Sequence, residues 1–446
     1  MPWGRRASGV VRTVVLRLDP EPGEEEKLRL ACELASRLWN ELNYRRRRLF
    51  FEGKLSREKL YETRREYYYR YNRLLGSATT QAVIDKNTAA WRSFFRLLEL
   101  KKKGRLPPHI AEVNPPGYRK RSRRRRRLWL ALRQDQYRVD AEKGVIEIRR
   151  LGVAGVVRVR YRGAIHVRGR QRGAEIWYDH DRRRWYIAIA YTVEEKLVHG
   201  RGWVRVPMKP LGALEAGIDL GIDNLMAVYV EDGTGFLVSG RPLKAESFYW
   251  QRRIAAYKSI LDRSNGPGST SRRLRLMYRR WRARVRAYID AAVRRTMEAL
   301  YQRGVSRIYV GYPKGIARRG DGNGKLNFER VHVWTYRLLL RRLKEVAWEY
   351  GIEVVEVDEA YTSRRCPLCG TPHPGARVHR GLYICPRHRL AMNADMAAAY
   401  NILAKGSHRP ITPSPEALTQ PRRLGVGVTP PRPGARGGAY PRPSNQ

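Results

Sequence analysis

GIDLGIDNLMAVYV, residues Gly217 to Val230, decides the fold of this 446-residue chain. An apolar lead-in reaches Asp219, Gly221 follows, and Asn224 opens a second apolar run, so the stretch predicts strand, tight bend, strand. An aspartate on a buried strand loses hydration worth several kcal/mol unless a cation or a metal ion compensates it. Asp219 is therefore a candidate ligand, with a bend-capping Asp as the alternative reading of GxDxG alone.

Working outward, the run from Asn393 to Leu403, NADMAAAYNIL, predicts an alanine-rich helix with Asp395 in its first turn. Small residues there let a helix lie close against a sheet. Between the two aspartates, Ile308 to Pro313 predicts a short buried strand, followed by a helix and a second strand over Ile352 to Val357. The element order is β-hairpin, helix, strand, helix, strand, helix. That is the RNase H order, an α/β fold whose metal site lies where the first and fourth strands meet and the closing helix begins.

Three of the four cysteines cluster as Cys366-Pro367-Leu368-Cys369 and Cys385, the last followed by Pro386-Arg387-His388. CxxC then CxxH has the spacing of a structural zinc site in which protein fills all four tetrahedral positions and leaves none for substrate. The predicted ligands are Cys366, Cys369, Cys385 and His388, with Gly370 ending the first knuckle. Cys32, among Leu28, Ala31, Ala35, Leu38 and Trp39, reads as core. Four cysteines are too few for a disulfide scaffold in a chain of this length.

These residues resemble the TnpB proteins of insertion sequences, RNA-guided DNA nucleases related to the compact type V CRISPR effectors. The resemblance rests on GIDLGI around Asp219, on Thr362-Ser363 ahead of CPLCG, on the second metal-ligand pair, and on Asp395 within D-x-x-A-A-x-N-I. It extends more weakly over the N-terminal half and leaves out the tail. It implies a RuvC-like site in which Asp219, Asp395 and a third carboxylate hold two divalent cations, Mg²⁺ or Mn²⁺, with guide RNA and a double- and single-stranded DNA target as partners. There is one departure: the family usually carries its second acid, a Glu, at the strand end where this chain has Gly311. The family also relocates that Glu to the later strand, which points to Glu359. Glu356 and Asp358 are nearby substitutes, and they share the opposite face by alternation.

The chain carries 91 Lys and Arg against 42 Asp and Glu, a formal net charge of +49 spread over folded segments. Such a chain repels itself unless a polyanion neutralises it. Ribosomal or chromatin-like coating is one outlet for that charge, but 11 Trp and 26 Tyr amid long apolar periodicities suit a groove-bearing enzyme better. No apolar run approaches a membrane span and MPWGRRASGVV lacks a signal-peptide core, which predicts a cytoplasmic protein that joins the nucleoid when bound to DNA.

In chain order, residues 1–22 supply the first strand of a β-barrel, 23–106 a helical insert broken near Gly53 and Gly76, and 107–212 the rest of the barrel. Arg119 to Arg127 holds eight basic residues in nine, with Trp129 and Tyr137 beyond it as expected stacking surfaces for nucleic acid. Residues 213–361 form the nuclease domain with a helical insertion at about 241–304, where Leu274, Met277, Trp281, Tyr288 and Ala292 recur at helical spacing as a sheet-facing stripe. Residues 362–391 are the zinc ribbon and 392–405 the closing helix. The Pro- and Gly-rich segment 406–446 is expected to lack order. The expected activity is RNA-guided DNA cleavage; the alternatives are a nucleic-acid binder with a degenerate nuclease site and, third, a DDE-type transposase.

Overall fold

The computed structural model describes residues 10–107, 110–120, 127–198, 201–312, 336–358, 362, 364–379 and 381–427. The chain divides into two compact units, Met1–Arg205 and Val206–Gln446.

The first unit is a nearly closed barrel carrying helices. Its strands are β1 (Val11–Asp19), β2 (Trp129–Leu132), β3 (Tyr137–Asp140), β4 (Val145–Ile148), β5 (Val157–Arg162), β6 (Val167–Asp179), β7 (Arg184–Val198) and β8 (Gly202–Arg205). They run in the order β2-β6-β7-β1-β5-β4-β3, with β8 beside β7. At the seam, Gln171 of β6 donates to the Tyr137 carbonyl of β3 at 3.1 Å and the Tyr137 hydroxyl donates back to the Arg172 carbonyl at 2.5 Å. Val14, Leu16 and Leu18 of β1 are buried while Val11 and Val15 are exposed, the period of two that a half-buried strand needs.

The insert between β1 and β2 folds as α1 (Pro22–Phe51), α2 (Arg64–Leu75) and α3 (Ser77–Lys102). Pro22 opens α1 with Glu24 and Glu25 in its first turn, where the helix dipole favours acid. Arg46 is fully buried and is satisfied by Thr63 Oγ1, Asn87 Oδ1, Thr88 Oγ1 and the Leu60 carbonyl at 2.7–3.0 Å. Burial lowers its pKa to about 10, and its four acceptors tie α1 to the α1–α2 link and α3. Cys32 is buried in the core and its thiol is pushed up by burial.

Trp129 and Tyr137 do not offer stacking surfaces. They are 2% and 5% exposed. The Arg119 guanidinium lies 4.1 Å from the Trp129 ring and 4.5 Å from that of Trp39, so the first cation of the basic run consumes these aromatics in a buried cation–π contact. Residues 121–126 of that run lie outside the described residues.

The second unit is a three-layer α/β domain. Its strands are β9 (Leu214–Asp219), β10 (Asn224–Val230), β11 (Gly235–Ser239), β12 (Val305–Tyr312), β13 (Glu353–Asp358), β14 (Leu382–Ile384), β15 (Ala391–Asn393) and β16 (Arg422–Arg423). Its helices are α4 (Arg241–Asn265), α5 (Arg272–Gln302), α6 (Tyr336–Glu349), α7 (Ala394–Ser407) and α8 (Pro415–Thr419). The main sheet runs β13-β12-β9-β10-β11-β16, with β9 antiparallel to β10 and parallel to β12. Ala216, Ile218, Val228, Ile308 and Val310 bury one face under α5 and α6, while Ala227, Tyr229 and Tyr309 bury the other under α7. No helix among the described residues is long and apolar enough to cross a membrane.

The predicted apolar stripe of α5 serves two partners. Tyr288 and Ala292 pack on the sheet, but Leu274 and Met277 pack with Trp250 and Ile254 of α4, because the N-terminal half of α5 runs beyond the sheet as a helical hairpin. The expectation of disorder from residue 406 also gives way, as far as Gly427. Leu418 and Ala417 are buried, Ser414 donates its amide to the Tyr229 hydroxyl at 2.7 Å, and β16 adds to the β11 edge. Two apolar residues and one free sheet edge suffice to order a Pro-rich segment. Residues 428–446 lie outside the described residues.

Gly217 sets the contact between sheet and closing helix. A Cβ there would stand 2.1 Å from the Ala399 carbonyl oxygen and 2.7 Å from the Leu403 amide, both backbone atoms of α7. Gly217→Ala must therefore push α7 off β9, at an expected cost of about 3 kcal/mol or more and a fall in Tm of roughly 6–12 °C. A variant that melts with the wild type would show that α7 is not held at this distance.

Candidate active site and metal centre

Alternation on β9 puts Ala216 and Ile218 under α5 and α6, so Gly217 and Asp219 belong to the face that α7 covers. Asp219 ends β9, and Asn224 opens β10 beyond the bend. The side chain of Asn224 donates to Asp395 Oδ2 at 2.8 Å, which locks the start of α7 to the bend that carries Asp219. Asn393 caps α7, its side-chain oxygen accepting from the amides of Asp395 and Met396 at 3.1 Å each. That cap fixes the first turn, where Asp395 sits. The second oxygen, Oδ1, meets Arg377 Nη2 at 3.2 Å. One acid is thus held by an amide from the sheet and a cation from the ribbon.

Beside β9, Tyr309 pairs with Gly217 and Val310 with Ile218, so Gly311 continues the register toward Asp219; on its other side it pairs with Val357. The middle position of three neighbouring strands therefore has no side chain. Val355 and Val357 pack on the α7 side of β13, while Glu356 pairs with Lys344 of α6 on the other. Asp358 shares the Glu356 face by alternation. Glu359 lies outside the described residues.

The ribbon enters through Thr362 and Arg365, whose carbonyls accept from the side chain of Asn401 at 2.7 and 2.8 Å. Asn401 of the D-x-x-A-A-x-N-I segment thereby pins the ribbon to α7. The donor atoms of Cys366, Cys369, His373 and Cys385 all lie within 4.8 Å of one another. Tetrahedral zinc with sulfur at about 2.3 Å needs sulfurs about 3.8 Å apart; Cys369 and Cys385 stand 3.9 Å apart. His373 Nε2 is 3.0 Å from Cys369 Sγ and 3.9 Å from Cys385 Sγ, close to the spacing of about 3.6 Å that one shared ion requires. The donor set fits zinc.

His388, the ligand expected from spacing, is not in that group. Its Nδ1 lies 3.4 Å from Cys385 Sγ, and its backbone amide also donates to that sulfur at 3.4 Å. The reason is local: the Cys366 knuckle, closed by Gly370 N to Cys366 O at 2.9 Å, turns the chain back and delivers His373 to the sulfurs first. Burial pushes the Cys366 thiol up to about 11. Cys369 is brought down to about 6, since its hydrogen bonds from the Thr371 amide, His373 and the neighbouring thiols outweigh desolvation. Metal uptake at neutral pH must then displace protons.

Sequence reasoning missed His373, Arg377 and the role of Asn224. His373 stands four residues after Cys369 and could have been weighed beside His388, and Asn224 follows the GxDxG bend. Arg377 carries no local signal.

Sheet order, the helix start at Asp395 and the Cys/His cluster define an RNase H-like α/β domain with a zinc-ribbon insertion, preceded by a β-barrel with a helical insert. A family model described as a probable transposase, OrfB of the IS605 type, matches residues 188–317, and that of the Cas12f1-like TNB domain matches residues 336–402. The TnpB-like protein ORF457 of Acidianus two-tailed virus is 37% identical over 412 residues, 88% of this chain and 86% of the relative. The putative RNA-guided DNA endonuclease InsQ of Escherichia coli K12 is 24% identical over 306 residues, 64% of this chain and 70% of the relative. Among solved structures, the Cas12f1-sgRNA-target DNA complex aligns over 88% of this chain and 98% of that chain, with a TM-score of 0.56 at 12% identity, a likeness of fold. The chain belongs to the TnpB-like family.

Proposed function

We propose that this chain is an RNA-guided, metal-dependent DNA endonuclease, with Asp219, Asp395 and Glu359 as the carboxylates of its site. The observation that carries the reading is the Asn224–Asp395 hydrogen bond, which brings the first turn of α7 to the bend bearing Asp219. Val355 and Val357 of β13 face α7, and Gly311 leaves the position between that strand and Asp219 without a side chain; Glu359, outside the described residues, is taken as the third acid on the family resemblance.

Carboxylate oxygens and phosphate suit Mg²⁺ or Mn²⁺, which when bound supply an activated water and charge stabilisation at the leaving oxygen. The protein's own part is orientation. Asn224 holds Asp395 Oδ2, the Asn393 cap holds the turn beneath it, and Arg377 balances the charge at Oδ1. The excess of Lys and Arg accounts for RNA and DNA as partners, with guide pairing reading the sequence and the protein reading backbone shape and a short flanking motif. The ribbon's zinc, closed by four protein donors, has a structural role.

The competing reading is a binder with a degenerate site, which the side-chain-free position at Gly311 favours. Sequencing the RNA that copurifies with the protein, then offering matched DNA in Mg²⁺ with randomised flanks, separates the two. Cleavage by the wild type that is lost in Glu359→Gln, by about a thousandfold, and kept in Asp358→Asn is the expected result. Loss in Asp358→Asn with survival in Glu359→Gln would move the third acid, and an inactive wild type with its own guide would establish the binder.

A further inference from the structure

α4 and α5 form a hairpin with a cleft of about 360 Å³ between them. Its floor is Leu276 and Met277 over the buried Trp250, and its walls carry Arg253, Arg272, Arg273 and Arg280. The volume lies in the range of small-ligand pockets, about 300–1,000 Å³. Trp250 is buried, held by its indole N–H on Glu246 at 2.6 Å, and the same carboxylate takes Arg284 at 2.7 Å. Glu246 is thereby committed to Trp250 and Arg284. Among the described residues, Arg253, Arg273 and Arg280 make no ion pair with a carboxylate. Arg253 donates to the Tyr249 hydroxyl at 2.7 Å and Arg273 lies over the Tyr257 ring at 4.9 Å, contacts that aim the guanidiniums without neutralising them.

An apolar floor flanked by Arg253, Arg273 and Arg280, none of them ion-paired among the described residues, suits a ligand that is flat and apolar at one end and anionic at the other. A nucleotide has that shape: the base meets the floor, and the flanking phosphates take charge-assisted hydrogen bonds. The hairpin also has a direction. The Gly240 amide donates to the Asp223 carbonyl at 2.8 Å and Lys244 pairs with Asp223 at 3.2 Å, so α4 springs from the bend that follows Asp219. Trp250 is six residues beyond Lys244, about 9 Å along the helix. A strand seated in the cleft therefore lies within a few nucleotides of the carboxylates.

We infer that the α4–α5 cleft is a nucleotide subsite that holds one base of the single-stranded DNA led toward Asp219 and Asp395, with Arg253, Arg273 and Arg280 on the adjoining phosphates. This rests on the endonuclease reading, which names DNA as the strand delivered to those acids. It adds a site that reads no sequence, because every base presents a face to the floor.

The test is the affinity of the RNA-loaded protein for a labelled single-stranded DNA oligonucleotide across a salt series, with an RNA oligonucleotide of the same sequence in parallel. The paired exposed changes Arg253→Gln and Arg280→Gln are expected to flatten the log–log salt slope by roughly 1.4, about 0.7 for each phosphate left without its arginine. Leu276→Ser strips apolar surface from the floor without altering charge and is expected to weaken DNA binding roughly tenfold at unchanged slope, the loss of the apolar contact beneath one base. DNA binding identical to wild type in both variants overturns the subsite and leaves the endonuclease reading standing. Losses confined to the RNA arm overturn the assignment to DNA. Wild-type protein that binds neither strand overturns the endonuclease reading itself.

Discussion

Asp395→Asn is expected to lower DNA cleavage in Mg²⁺ by about a thousandfold or more, while guide and target binding stay within roughly twofold of wild type. The substitution keeps the shape and an oxygen for Asn224 to donate to, so the 2.8 Å bond between bend and helix survives. What it removes is a negative charge at the start of α7. An acid in the first turn of a helix is worth about 0.3–1 kcal/mol, a minor loss for a domain with two cores. On a chain of net charge +49, removing one carboxylate does not weaken attraction to a polyanion. Asp219→Asn, at the end of β9, is expected to behave alike. A single-turnover cleavage assay beside a filter-binding titration separates the two readouts. Normal cutting by both variants would place the chemistry elsewhere, and parallel loss of binding would make both acids structural.

The sheet was legible because its central strands carry apolar runs and its closing helix is alanine-rich in its first turns. Gly217 and Ala399 are two halves of one contact, and each is visible in the sequence as an unusually small residue. Burial of aromatics was not legible. Trp129 and Tyr137 follow a basic run and read as stacking platforms, yet alternation in a short strand cannot say which side faces a core, and Arg119 fills the space over Trp129. Order in the tail was hidden for a different reason: composition averages over a window, whereas Leu418 needs only one vacant place beneath α7. The metal cluster lies between these cases. Three cysteines follow from spacing, but both His373 and His388 stand at distances along the chain that a ribbon can close, and only the path of the Cys366 knuckle separates them.

That distinction has a measurable consequence, because the ribbon has little else to hold it. Its own sheet is two strands of three residues each, well below what a hairpin needs for stability in water. Folding of the ribbon is then coupled to zinc, whose binding is worth about 10–16 kcal/mol in small zinc domains. Cys385→Ser removes a buried ligand central to the cluster and is expected to release the metal and unfold the ribbon locally, leaving the barrel unit intact. His373→Ala is expected to lose most of the zinc, and His388→Ala, whose backbone amide still donates to Cys385, to keep it. The loss should reach the nuclease site as well. Arg377 of the ribbon pairs with Asp395, and the Thr362 and Arg365 carbonyls that anchor the ribbon are held by Asn401, one helix with Asp395. Zinc content by elemental analysis, hydrogen exchange over the ribbon and cleavage rate are the measurements, with zinc, protection and rate expected to fall together in Cys385→Ser and His373→Ala. Wild-type protein without zinc would refute the metal centre, and zinc lost in His388→Ala but kept in His373→Ala would restore His388 as the fourth ligand.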